Sequence, residues 1–453
     1  MDINVLPREL IGEISNSLYV VDAIELGKTN KLFCSYLGKT DFGYKVTQPV
    51  HLHTIFCFDE RLDYERRQYV IGDFKHVIII NLDDLAYIRA KQMSLTHLTF
   101  GNHFNQIMDN VTLPLSLKYL TFGYTFNQSV DKLLLPSSLI HLEFGYHFNQ
   151  SVDNLKLQHL ISLEVLNFGA FFNKSVDNLK LPDSLKHLTF ESDFNKSVDN
   201  LELPQSLTHL TFGFAFDQSV DNLKLPKSLT HLLFGYYFNH PVDKLKLPPS
   251  LTKLTFVSHF NQAVDKLELP QSLIRLNFGT FFNQSIDNLK LQHLVSLTHL
   301  TFGFDFNKPI NNLILPQSLT HLTFGSGFNQ PIDNLKLTKS LTHLSFCTAF
   351  NQPIDNLKLP PSLTHLRFGF EFNQSIDNLK LPESLTHLTF GAHFNQSIDS
   401  IQFPKSMTHL AFGKSYNLSV DLLASLLSSL PHLTVSRDNL DLSGIYKYNF
   451  LIM

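Results

Sequence analysis

Histidine is the residue type through which this sequence could do the most chemistry. Eleven histidines (His97, His141, His187, His209, His231, His299, His321, His343, His365, His387 and His409) recur at one position of a 22-residue period. Tyr119, Val165, Lys253 and Arg275 take that position in the other four copies. Such a column allows three readings. A zinc or copper site needs three or four convergent ligands, and a straight ladder supplies only neighbours in a row. A pH-sensitive surface is the second, because imidazoles on adjacent strands disfavour joint protonation and titrate below about 6.5. The third, which we take as the expectation, is a stacked surface ladder that steadies a sheet.

Other polar columns share the period. Ser, His and Asp all recur, but each is tied to the repeat, so their co-occurrence carries no catalytic meaning. No nucleophile elbow, phosphate loop, zinc-protease helix or kinase signature is present. The expectation is a non-enzyme with no cofactor and no metal. Asn follows a repeated Phe from Asn105 to Asn417, with Asp217 the single substitute. Inward-turned amides in such a column would bond the backbone of successive coils. Asp recurs four positions later, from Asp109 to Asp421, broken by Asn311. It is expected to close a turn by accepting from backbone amides, with a Lys three residues on (Lys224 after Asp221) offsetting the charge. The Gly-Gly-x-Gly-x-Asp spacing of calcium-binding coils is missing.

Recognition should fall on outward positions that vary. Two residues after a repeated Gly vary most, among them Tyr124, Tyr146, His147, Phe171, Phe214, Tyr236, Tyr237, Phe281, Phe304 and Phe370. Exposed aromatics of this kind form interface hot spots. With Lys253 and Arg275 in the His column and Arg367 interrupting an outward Thr column, Tyr146, His147, Phe214, Tyr236, Tyr237, Phe304 and Phe370 are the candidate target-binding residues. The competing reading has several of these aromatics fold back over the coil edge.

The elements that must position these columns follow from the repeat. Fifteen copies of S-L-T-H-L-T-F-G-x-x-F-N-Q-S-[IV]-D-N-L-K-L-P-x begin at Ser94 and end near residue 423. In the copy from Ser206, Leu207, Leu210, Phe212, Phe216, Val220, Leu223 and Leu225 are the apolar positions. Leu210, Thr211 and Phe212 alternate as a strand, and Leu223, Lys224 and Leu225 suggest a second extended segment. Gly213 and residues 216–219 mark turns, and Pro226 separates coils. One coil cannot shield its apolar side chains, whereas stacked coils bury them against one another. Two-residue insertions before Ser162 and Ser296 widen one turn and could kink the stack. The 41 Phe residues express the same design, since 29 of them occupy two columns.

Composition narrows the class. Lys+Arg 36 against Asp+Glu 40 argues against a nucleic-acid protein that relies on a basic surface. Cys34, Cys57 and Cys347 are too scattered for a disulfide framework. No export signal or membrane span is read, so intracellular, cytoplasmic residence is expected and the Asn-x-Ser motifs are not read as glycosylation sites.

The spacing L-x-x-L-x-F-x-x-x-F-N resembles a short leucine-rich repeat with Phe at two core columns. Phe-Asn-Gln-Pro-Ile at residues 328–332 and 350–354 resembles the motif that names the FNIP repeat family. The resemblance implies a β-rich, leucine-rich-repeat-like solenoid that binds protein. Before it, Leu6, Pro7, Glu9, Leu10, Ile14, Asp22, Leu26 and residues 31–33 resemble an F-box, although Phe33 is the nearest aromatic where that family usually has Trp. Repeats joined to an F-box are an architecture of social amoebae and their large DNA viruses. The resemblance implies that Leu6, Pro7, Glu9, Leu10, Ile14, Leu26 and Phe33 bind a Skp-type cullin adaptor. The chain would then be the substrate receptor of a ubiquitin ligase, in host cytoplasm if viral, with an unknown protein target. The alternative is an interaction scaffold without ubiquitin transfer. The domains read from sequence are a small all-α F-box-like segment (1–45), a linker and cap (46–93), fifteen repeats (94–423) and a C-terminal cap (424–453).

Overall fold

The computed structural model describes residues 50–51, 76–79, 82–83, 85–86, 94–430 and 432–436. The F-box-like segment, with Leu6, Pro7, Glu9, Leu10, Ile14, Leu26 and Phe33, lies outside the described residues. The chain divides into two compact units at Gly213 and Phe214. Each is a parallel β-solenoid.

The first unit holds β1 (Val50–His51), β2 (His76–Ile79), β3 (His97–Phe100), β4 (Tyr119–Thr121), β5 (His141–Glu143), β6 (Val165–Asn167), β7 (His187–Thr189) and β8 (His209–Thr211). The second holds β9 (His231–Phe234), β10 (Lys253–Phe256), β11 (Arg275–Asn277), β12 (His299–Thr301), β13 (His321–Thr323), β14 (His343–Ser345), β15 (His365–Arg367), β16 (His387–Thr389), β17 (His409–Ala411), α1 (Val420–Ser429) and β18 (Thr434–Ser436). Strands are short because only the stretch Leu-Thr-Phe alternates cleanly. Register follows the repeat. Leu120 lies opposite Leu98 and Leu142, and Leu344 opposite Leu322 and Leu366. A one-residue slip would turn every Leu to solvent.

Three turns close each coil. In one, Phe126 donates from its backbone N–H to the carbonyl of Gly123, and in the next Leu133 donates to Val130 and Leu139 to Pro136. The second extended segment expected from sequence does not form a ladder. Among the described residues, only one bridge outside the named strands occurs, between Thr112 and Leu134. The reason is local: two turns bracket the segment, and the residue that follows it is a Pro, with no N–H to give. Pro226 is buried while Leu225 is only half-buried, so the Pro ring shares the core with the Leu columns.

The two Phe columns form the core as expected. Phe324 and Phe328 lie 4.3 Å apart within one coil, and Phe324 and Phe346 stack 5.4 Å apart between coils. The repeated Gly has a different job from the turn residue expected. No described Gly has positive φ. A Cβ on Gly145 would instead stand 1.8 Å from the carbonyl oxygen of Gly123, and one on Gly325 1.6 Å from that of Gly303. The Gly lets successive coils approach.

The Asn column bonds coil to coil, but from the surface edge rather than from within. Asn261 accepts the N–H of Asn283 on Oδ1 at 2.9 Å, and Asn329 accepts that of Asn351 at 3.0 Å. A Gln from the coil above adds a second bond, as Gln284 Nε2 does to Asn261 Oδ1. Where Asn becomes Asp217, the Gln above becomes His240, and Asp217 Oδ1 still accepts from Asn239 N at 3.0 Å. The Asp column differs from expectation. Asp153 and Asp287 carboxylates accept from the Ser hydroxyls two residues earlier, at 2.9 and 3.0 Å, rather than from amides. At two other positions of the column a Lys from the coil above meets the charge: Lys132 reaches Asp109 at 2.9 Å and Lys244 reaches Asp221 at 2.8 Å. Lys224 is exposed, and the ion-pair partner of Asp221 is Lys244 rather than the Lys three residues on.

The two insertions leave the strands undisturbed. His141 pairs with Val165 and Arg275 with His299, in the register of other coils. Leu160 and Leu294 are buried where other coils place Pro, and Ile161 and Val295 turn outward. After the repeats, Ser419 caps α1 by accepting from Leu422 N at 3.1 Å, and β18 then pairs with β17.

Candidate protein-binding surfaces

Two outward features of the coils can contact a partner. The first is the loop that follows each strand. Its backbone extends the ladder: His147 N–H donates to the Tyr124 carbonyl at 2.9 Å, and Tyr237 N–H to Phe214 at 3.0 Å. Side chains on successive loops are thereby held in line. In the first unit Tyr124 and Tyr146 stack 4.7 Å apart, His147 stands edge-on to Tyr124 at 4.8 Å, and Phe171 packs on His147 at 4.7 Å. In the second, Phe214 stacks on Tyr236 at 4.4 Å, with Tyr237 edge-on to Phe214 at 5.0 Å. His259 joins Tyr237 at 4.7 Å and Phe281 at 4.8 Å. Tyr124, Tyr146, Phe214 and Tyr237 remain 43–49% exposed, whereas His147, Phe171 and Tyr236 are half-buried. Some rings therefore cover the coil edge and others stand open.

The second feature is the strand face. In every strand from β5 to β8 the pattern is half-buried, buried, half-buried, which puts the His position outward beside the buried Leu. In the second unit His299, His321, His343, His365, His387 and His409 form one continuous stack, with neighbouring rings 4.1–4.2 Å apart and within 12° of parallel. The preceding Thr fixes each ring. Thr342 Oγ1 donates to the Thr320 carbonyl at 3.1 Å and lies 2.9 Å from His343 Nδ1. A hydroxyl has one proton, and a carbonyl can only accept. Nδ1 must therefore carry a hydrogen, and in the neutral ring Nε2 holds the lone pair. The same pair of bonds recurs at Thr320 and His321, Thr364 and His365, Thr386 and His387, and Thr408 and His409. This tether was legible in the repeated Thr-His dipeptide, but sequence reasoning passed over it.

Eight segments between residues 93 and 415 match the profile of the FNIP Repeat, and together they cover well over half of the chain. The chain belongs to the FNIP repeat family. Several matched segments span two 22-residue coils, such as residues 172–215 and 328–371. Among solved structures, the FNIP chain is similar to CroV588, described as a novel circular LRR protein, at 44% identity and a TM-score of 0.62. That match covers 76% of this chain and 53% of the other, so the FNIP chain spans about half the length of that protein. The LRR protein LIC12759 of Leptospira interrogans matches at 15% identity over 76% of this chain and 90% of its own, with a TM-score of 0.43. An internalin of Listeria monocytogenes matches at 14% identity over 73% and 85%, with a TM-score of 0.34. None of the curated proteins matches the chain significantly.

In the His column the ring planes are nearly parallel. Rings that lie parallel hold parallel lone pairs, which cannot converge on one ion. Among the described residues no group of three or more His, Cys, Asp or Glu is placed to hold a metal. The repeated Ser is likewise committed, since Ser340 Oγ donates to the Leu319 carbonyl at 2.7 Å and Ser384 Oγ to Leu363. No helix among the described residues is long and apolar enough to cross a membrane.

The remaining candidates fall into separate places. Lys253 and Arg275 stand on adjacent strands at the head of the His stack, with Lys253 half-buried and Arg275 exposed. Burial, then the Arg275 charge, lowers the Lys253 ammonium pKa. Arg367 sits half-buried in the outward column next to the histidines. Phe304 is 44% exposed on its loop. Phe370 is half-buried against His393, whose Nδ1 lies 2.8 Å from Glu371 Oε2.

Proposed function

We propose that this FNIP-repeat chain is a non-catalytic protein-binding adaptor, the substrate-recognition subunit of a Skp–cullin–F-box ubiquitin ligase acting in the cytoplasm. The observation that carries the binding role is the set of open aromatic rings at the loop edge of each unit. Tyr124, Tyr146, Phe214 and Tyr237 keep nearly half their surface exposed on a scaffold whose other columns hold coil to coil. Rigid aromatics of this kind give large contact area for little conformational entropy. The ligase role is supported by the F-box-like residues Leu6, Pro7, Leu10 and Ile14.

Two measurements test it. The full chain should capture a purified Skp-type adaptor, and Leu6→Ala with Leu10→Ala should abolish capture while leaving the far-ultraviolet spectrum unchanged. Absence of capture by the intact chain leaves a scaffold without a ligase role. With a target in hand, Tyr237→Ser should weaken its binding by about 1 kcal/mol or more. Tyr236→Ser, a change at a half-buried ring, should lower stability as well.

A further inference from the structure

Among the described residues, no carboxylate acts on the five shifted imidazoles of the second unit's stack. No outward position of β10 to β17 is Asp or Glu. The charged groups that act on His299, His321, His343, His365 and His387 are Arg275 and other histidines of the same column. Thr434 of β18 lies opposite His409 at the far end. The carboxylates nearest in sequence, Asp305, Glu371 and Glu383, stand on loops flanking the strands, and Glu371 is held by His393. On the strand face itself, Lys253, Arg275 and Arg367 supply permanent positive charge.

We propose that this face, from Lys253 to His409, binds an extended acidic protein segment laid across the strands, and binds it more tightly in mild acid. The inference deepens the protein-binding reading above by naming the chemistry of one partner. At neutral pH each ring offers only a lone pair at Nε2, because Thr holds the Nδ1 hydrogen. After proton uptake Nε2 becomes a charged donor on the open face, the group a carboxylate accepts from best. Burial, then neighbouring charges of the column, hold these five imidazoles below their ordinary pKa. Adjacent imidazoliums 4.2 Å apart repel, so the bare row resists charging. A row of carboxylates removes that repulsion. Proton uptake and binding therefore favour each other. An acidic protein fits better than a nucleic acid, whose sites depend on many permanent cations rather than three.

The test uses the full chain and a fluorescein-labelled peptide of alternating Asp and Ser. A length of about eight residues spans six strands at roughly 4.8 Å spacing. Fluorescence anisotropy should show affinity rising about tenfold or more between about pH 7.5 and about pH 5.5. In His321→Tyr/His343→Tyr/His365→Tyr the rise should fall below about threefold. Tyr is chosen because Tyr119 already stacks on His97 at 4.2 Å in the equivalent column, so the coil accepts it. A His187→Tyr/His209→Tyr variant of the first unit should keep the full rise. Equal affinity at both pH values overturns the proposal, as does a rise untouched by the triple variant. Tighter, equally pH-dependent binding of a single-stranded oligonucleotide also overturns it. Adaptor capture at neutral pH is measured on the same triple variant and should be unchanged, so failure of the ligase role and failure of this inference are separate results.

Discussion

The two units are built on the same core columns and differ on their strand faces. In the first, the His column is broken by Tyr119 and Val165, and carboxylates stand among it: Glu143 Oε2 lies 3.5 Å from His141 Nε2. His187 is lowered by burial, but Glu164 pulls in the opposite direction. In the second, the stack runs from His299 to His409 unbroken, tethered by Thr, with no carboxylate acting on the five shifted rings. The same backbone thus carries a compensated surface in one unit and an uncompensated one in the other. Coil stability and surface chemistry are written in different columns, so one can vary while the other stays fixed.

The largest expected effect tests the shared core. Phe144→Ala in the first unit and Phe324→Ala in the second should each cost about 3–5 kcal/mol by chemical denaturation. Both rings are at most 3% exposed in the same column. A several-fold gap between them would mean that the cores are not equivalent.

Gly145→Ala and Gly325→Ala come next. Each drives a Cβ toward a carbonyl of the coil below, and should lower stability by about 1–3 kcal/mol. An unchanged denaturation midpoint in either variant would contradict the close approach.

Acid should separate the units. A histidine with a lowered folded pKa binds fewer protons when folded than when unfolded, so its contribution is intact above about 6.5 and is lost as pH falls below that value. Five such residues lie in the second unit, whereas in the first the lowering of His187 by burial is opposed by Glu164. Peptide-resolved hydrogen exchange, corrected for intrinsic rate, should show the second unit losing protection first between about pH 6.5 and about pH 5. His321→Gln should narrow the difference, and faster loss in the first unit would refute it.

The smallest effect is expected at the exposed ion pairs. Lys132→Met and Lys244→Met remove equivalent partners of Asp109 and Asp221, one in each unit. Solvent screens both, so neither midpoint should move measurably.

Much of this was legible in the residues. The Leu and Phe columns, the strand at Leu-Thr-Phe and the outward His follow from a period repeated fifteen times, because a repeat forces equivalent positions to stack. α1 begins at Val420, inside the repeats read to residue 423, where Ser419 caps it. What failed was local. A second strand was read at Leu223 and Leu225, but alternation over three residues carries no information about the turns on either side. Gly213 was read as a turn former, since sequence cannot separate a need for positive φ from a need for close approach. The Asp carboxylates were assigned to amides, although a Ser two residues earlier was the nearer donor.

The sequence by itself determined that the chain repeats, which side chains are buried, and that it belongs among FNIP-repeat proteins. Periodicity and apolarity act along the chain, and both are visible there. Only the tertiary structure decided which polar groups pair between coils, since those partners are some 22 residues apart. It alone set the imidazoles parallel at 4.2 Å, aimed their Nδ1–H groups at Thr, and, among the described residues, brought no carboxylate to act on the five shifted rings. Charge state and donor direction depend on what stands opposite in space, and the order of residues does not contain that.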